Sequence, residues 1–142
     1  MAQGILERLL EEKGLKRQVV VDSAGTHVNR KGLPPDRRAQ QVAGLYGIDL
    51  VSIRTRKVRI SVFQKFDSIL VMDYENICSL QEVCPREHRE KLSLLMEYAP
   101  GTQELEIPDP YFGSITGFER VFKMLDTAMR GFVEQIYANH SQ

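Results

Sequence analysis

The segment Phe66-Asp67-Ser68-Ile69-Leu70-Val71-Met72-Asp73 decides the fold. Ile69 to Met72 form an unbroken apolar run between polar flanks. A strand with one wet face alternates apolar and polar residues. An uninterrupted run fits a strand covered on both faces, as in a parallel sheet with helices on each side. Outward from this run, Asp73 is placed to cap a helix over 74–83, and Pro85 ends it. Leu92, Leu94, Leu95 and Met96 then predict a last strand. Strand, helix and strand in succession is the crossover that joins parallel neighbours.

Toward the N-terminus the alternation continues. Ile5, Leu9 and Leu10 share one face of a helix predicted over 2–13, closed by Gly14. A strand is expected at 18–22. Pro34 and Pro35 lead into a helix over 36–46 that stops at Gly47. Ser61 with Gln64 has the spacing of a capping box for a short helix. Toward the C-terminus, Thr116 with Glu119 repeats that spacing. The helix it opens carries Val121, Phe122, Leu125, Met129, Phe132, Val133 and Ile136 at three- and four-residue intervals.

Before that helix lies Pro108-Asp109-Pro110-Tyr111-Phe112-Gly113. Both prolines fix their own φ and bias the residue before them away from helix, so the backbone around Asp109 has few alternatives. One reading is a rigid loop holding a carboxyl group beside a flat substrate, with Tyr111 and Phe112 packing on its ring. The other is a proline-rich turn whose aromatics plug the core.

Taken in order, the segments resemble the low-molecular-weight protein tyrosine phosphatases along nearly the whole chain. Met1-Ala2-Gln3-Gly4-Ile5-Leu6 resembles the family's first helix. Val20-Val21-Asp22-Ser23-Ala24-Gly25-Thr26 resembles its second strand and the following turn, and Pro34-Pro35-Asp36-Arg37-Arg38-Ala39 the start of its second helix. Phe66 to Asp73 resembles the third strand, and the Asp-Pro-Tyr loop falls where the family carries its general acid. The fold implied is a three-layer α/β protein, a parallel sheet with crossover helices on both faces, expected as a single domain over 1–142. The first strand and the phosphate-binding loop, Cys, five residues, Arg, then Ser or Thr, are missing from these residues. Six residues beyond Cys78 stands Cys84, and six beyond Cys84 stands Glu90. The echo Asn76-Ile77-Cys78-Ser79 lies in a helical pattern and lacks the arginine.

The resemblance implies hydrolysis of phosphotyrosine monoesters through a phosphocysteine intermediate, without metal or other cofactor. It assigns Asp109 as general acid, Tyr111 and Phe112 as the pair beside the substrate ring, with Phe112 replacing the more usual Tyr, and Ser23 as a brace for the phosphate loop. By itself Ser23 reads equally as a turn serine. Ile53 stands where family members commonly carry a histidine before an Arg-x-Arg stretch. Substrates would be phosphotyrosine-containing proteins or small aryl phosphates. Without nucleophile and loop arginine, the 142 residues are expected to be inactive. Loss of an interior strand is expected to leave unpaired strand edges, weak folding and self-association. Two alternatives remain: an arsenate reductase of the same fold, for which Cys78 and Cys84 are worth noting, and a non-catalytic pseudo-phosphatase that binds without turnover.

Charge and composition narrow the partners. Nineteen basic and nineteen acidic residues cancel, which argues against nucleic acid or a membrane surface. Two cysteines without partners at metal-ligand spacing, and no apolar run of membrane-spanning length, fit a cytoplasmic protein with reduced thiols. Arg54, Arg56, Lys57 and Arg59 read as a solvated face, His27 as a surface loop residue, and Asp73 as a helix cap.

Overall fold

In a computed structural model describing residues 1–140, the apolar run forms strand β1, Ile69–Val71. It pairs in parallel with β2, Leu92–Leu94, with Ile69 opposite Leu92 and Val71 opposite Leu94. Helix α4, Tyr74–Val83, is the crossover between them. Asp73 caps it, its carboxylate accepting the Asn76 N–H at 2.8 Å.

The other helices are α1, Ala2–Glu12, α2, Arg37–Leu45, α3, Val62–Lys65, and α5, Ile115–His140. They cover the sheet from both sides. Ile69 and Val71 join Phe63 of α3 and Leu80 of α4 in one apolar cluster, while Leu70 and Met72 pack against the larger cluster built by α1, α2 and α5. Alternate residues of β1 therefore serve opposite layers, as the period of a strand requires. Only Val71 of the run is fully buried.

The end of α1 shows how local chemistry fixes a boundary. Gly14 takes φ +71°, the Leu15 N–H donates to the Leu10 carbonyl at 2.8 Å, and the Gly14 N–H donates to Glu11 at 3.1 Å. This is a Schellman closure, and its usual apolar contact is supplied by Leu10 and Leu15, both buried. A tighter constraint lies in α5. A Cβ on Gly131 would stand 1.9 Å from the Tyr98 carbonyl oxygen, so the absence of a side chain is what lets α5 lie against the turn Leu95–Tyr98.

Several expectations are corrected. Residues 18–22 form no strand: Val19 and Val21 rest on the core and Val20 is 74% exposed, but no neighbouring chain supplies a ladder. A lone parallel bridge, Gly25 with Lys57, lies just beyond. The last strand stops at Leu94, because Leu95 and Met96 turn into a 3₁₀ helix. A second 3₁₀ segment, Arg86–Lys91, was not foreseen. Neither capping box forms as expected. Ser61 already has helical dihedrals and makes no side-chain cap, and Thr116 lies inside the first turn of α5. Among the described residues, no helix is long and apolar enough to cross a membrane.

Candidate functional site

The acid loop is pinned where β1 ends. The N–H of buried Ile107 donates to the Met72 carbonyl at 2.9 Å, and Glu106 accepts the Tyr74 N–H at 2.9 Å. Asp109 follows two residues later, exposed, with one carboxylate oxygen accepting the Tyr111 N–H at 3.0 Å. The Gly113 N–H closes on the Pro110 carbonyl at 3.0 Å. These bonds make a compact turn of the kind that aspartate and proline favour.

The aromatics do not plug the core. Tyr111 is 59% and Phe112 92% exposed, in edge-to-face contact with ring centroids 5.1 Å apart. They form an aromatic wall next in sequence to a carboxylate, open to solvent.

Arg38 holds this loop from across the chain, a role the sequence reading did not assign. Its Nη1 donates to the Gly113 carbonyl at 2.6 Å and its Nη2 to the Tyr111 carbonyl at 2.8 Å. Nε and Nη2 also engage Asp36, and the guanidinium lies 4.5 Å from the Phe118 ring centroid. Asp36 in turn caps α2 through the Arg38 N–H. The Arg38 side chain holds the Asp36 carboxyl below its ordinary range, and Asp36 raises the Arg38 guanidinium in return. The pattern Asp36-x-Arg38 at a helix start was the available signal. The bonded carbonyls lie 73 and 75 residues away.

Ser23 sits in a second turn at the same end of the sheet. Its hydroxyl donates to Gln3 Oε1 at 2.5 Å, which ties it to the start of α1. Arg56 binds the Ser23 carbonyl at 2.9 Å and the Asp22 carboxylate at 2.6 Å. Three residues on, Thr26 accepts from the Asn76 side-chain amide at 3.0 Å, and the Asn76 Oδ1 accepts the Met72 N–H at 3.3 Å. Both turns are thus moored to the carboxyl end of β1, Ser23's through Asn76 and Asp109's through Ile107. That end of a parallel sheet is where α/β proteins place their binding crevices. Among the described residues, no hydrogen bond joins Ser23 directly to the acid loop. Two shallow hollows of about 310 and 340 Å³ are lined by other residues, around Gly44–Leu50 and around Leu10–Val21.

The basic run is not simply a solvated face. Arg54 binds the Val51 and Ile53 carbonyls, and Arg56 is the staple just described. Ile53 packs on the core. His27 shares a hydrogen bond with Thr26 at 3.1 Å. Cys78 is exposed, whereas Cys84 is 5% exposed in the smaller cluster, its thiol pushed up by burial and donating to the Pro85 carbonyl.

The parallel α/β core thus carries an exposed carboxylate loop, an exposed aromatic pair and the Ser23 segment near the carboxyl end of β1. The chain belongs to the low molecular weight phosphotyrosine protein phosphatase family, whose model matches residues 1–142. It is 31% identical over 139 residues to the human low molecular weight phosphotyrosine protein phosphatase, covering 96% of this chain and 87% of that protein. It is likewise 31% identical over 137 residues to the Bacillus subtilis protein-tyrosine-phosphatase YfkJ, covering 96% and 86%. The crystal structure of an Entamoeba histolytica protein tyrosine phosphatase with Hepes in its active site superposes with a TM-score of 0.92 at 29% identity, over 98% of this chain and 88% of that one.

Proposed function

We propose that this domain serves the hydrolysis of phosphotyrosine monoesters in proteins or small aryl phosphates, with Asp109 as general acid. The observation that carries this reading is the mooring of the Asp109 turn beside the end of β1, through the Ile107 to Met72 bond, with its carboxylate exposed next to Tyr111 and Phe112. In the reaction a cysteine thiolate attacks phosphorus and the P–O bond to the aryl group breaks. Asp109 gives its proton to the departing phenolate, then takes one from the water that cleaves the phosphocysteine. Tyr111 and Phe112 pack against the substrate ring, and Ser23 braces the phosphate loop.

The described cysteines do not supply that thiolate, since neither begins a Cys-x5-Arg sequence. The reading therefore requires a strand and Cys-x5-Arg loop joined to these residues, and the 142 residues alone should not turn over. A general acid by itself contributes roughly 10² to 10⁴, against the 10⁶ or more of a complete enzyme. The burial of Cys84 favours phosphoester cleavage over arsenate reduction, because a shuttling thiol has to reach its partner.

Two assays of para-nitrophenyl phosphate hydrolysis test the proposal. The mass-verified 142-residue chain is expected to stay at background, and the same chain preceded by a strand and Cys-x5-Arg loop to show saturable hydrolysis. Saturable turnover by the first overturns the stated requirement. Inactivity of a folded second, with phosphate still bound, favours a pseudo-phosphatase.

A further inference from the structure

We infer that Arg38 is a positioning residue for Asp109, holding the acid loop in place from the start of α2; the inference rests on the reading of Asp109 as general acid. Residues 108–114 bury almost nothing: Pro110 is half-buried and the other side chains are exposed. Apolar packing therefore cannot fix the loop. Its own bonds, Tyr111 N–H to Asp109 and Gly113 N–H to Pro110, set its shape but not its place. Ser114 leads into α5, its carbonyl accepting the Gly117 N–H at 3.0 Å, and among the described residues the hydrogen bonds that tie 108–113 to an element distant in sequence are the two from Arg38, to the carbonyls of Tyr111 and Gly113.

The guanidinium suits this task. Its planar fork spans two carbonyls two residues apart while its Nε edge and one Nη2 proton engage Asp36, and its face rests on Phe118. The four hydrogen bonds use rigid, divergent N–H vectors and the Phe118 contact a flat face, a combination that an ammonium on a flexible stem cannot reproduce. Asp36, fixed as the α2 cap, orients the fork. Asp109 is thereby aimed by a residue that need not touch the substrate.

Hydrogen exchange and the ¹³Cγ resonance of Asp109 test this in the 142-residue chain, with Arg38→Lys, Arg38→Ala and Asp36→Asn. Arg38→Lys and Arg38→Ala should each speed exchange of the Tyr111 and Gly113 amides by about tenfold or more. They should shift the Asp109 resonance while exchange in α5 at Leu125 to Val133 stays unchanged. Asp36→Asn should give a smaller change of the same pattern. An unmoved Asp109 resonance with unchanged loop exchange in Arg38→Lys overturns the inference, as does full rescue by lysine. If Arg38→Ala melts the whole chain, Arg38→Lys and Asp36→Asn decide on the same criteria. Exchange does not require turnover, so failure here is distinct from failure of the general-acid role.

Discussion

Asp109 has one carboxylate oxygen engaged by the Tyr111 N–H, and no second carboxylate of the loop competes for its role. In a chain carrying the nucleophile loop, Asp109→Asn is expected to lower kcat by about 10² to 10⁴ while binding of an inert phosphate analogue stays nearly unchanged. The loss should shrink as the leaving group becomes a stronger acid, and rate loss across a series of substituted phenyl phosphates checks it. A loss independent of leaving-group pKa would leave Asp109 a turn residue. The neighbouring Asp36 bears on stability. Arg38 holds its folded carboxyl below the ordinary 3.8, so its contribution is complete above that value and is lost as pH falls through the lowered one. Asp36→Asn should therefore flatten the acid limb of melting temperature against pH below about 4. The turn around Asp109 was legible in the sequence because two prolines frame it. Arg38 was not, since its partners in the loop are distant backbone carbonyls, which carry no side-chain signature, and Asp36-x-Arg38 signals only the local pair.

Helices were more legible than strands. The period of α5 and the cap of α4 are local facts, written in neighbouring residues. A strand exists only with its partner, so Val19 to Val21, strand-like in composition, remains outside any ladder. The turn Arg86–Lys91 is polar throughout and offers no apolar period to read. Where the chemistry is local, magnitudes follow. Asp73→Ala removes the bond to the Asn76 N–H and should cost about 1 kcal/mol. Gly14→Ala meets no atom within 4 Å, so its cost is the left-handed backbone alone, about 1 to 2 kcal/mol. Urea midpoints at constant slope measure both.

At the scale of the molecule, two apolar clusters flank a sheet of only two paired strands, and the described residues put no further strand beside them. We propose that the 142-residue chain self-associates through those edges, as the sequence leads one to expect, and it should then show a melting temperature that rises with protein concentration. A concentration-independent transition of a monomer in sedimentation would reject it. The smaller cluster also sets an alkaline limit. Burial raises the Cys84 thiol above its ordinary 9.0, so the unfolded chain ionises first and stability is lost as pH rises past that value. Cys84→Ala, destabilised at pH 7 by its cavity, should therefore narrow its gap to the parent as pH rises above 9.0. Gly131 has a different reach. Because Tyr98 stands where any side chain would begin, this position is closed to all nineteen alternatives whatever their chemistry. Exposed neighbours on the same helix, such as Arg130 and Glu134, meet no such bar, since they make only surface ion pairs with Asp126 and Lys13. Lineages of this domain can thus diverge along the exposed face of α5 while passing through a single permitted letter at position 131.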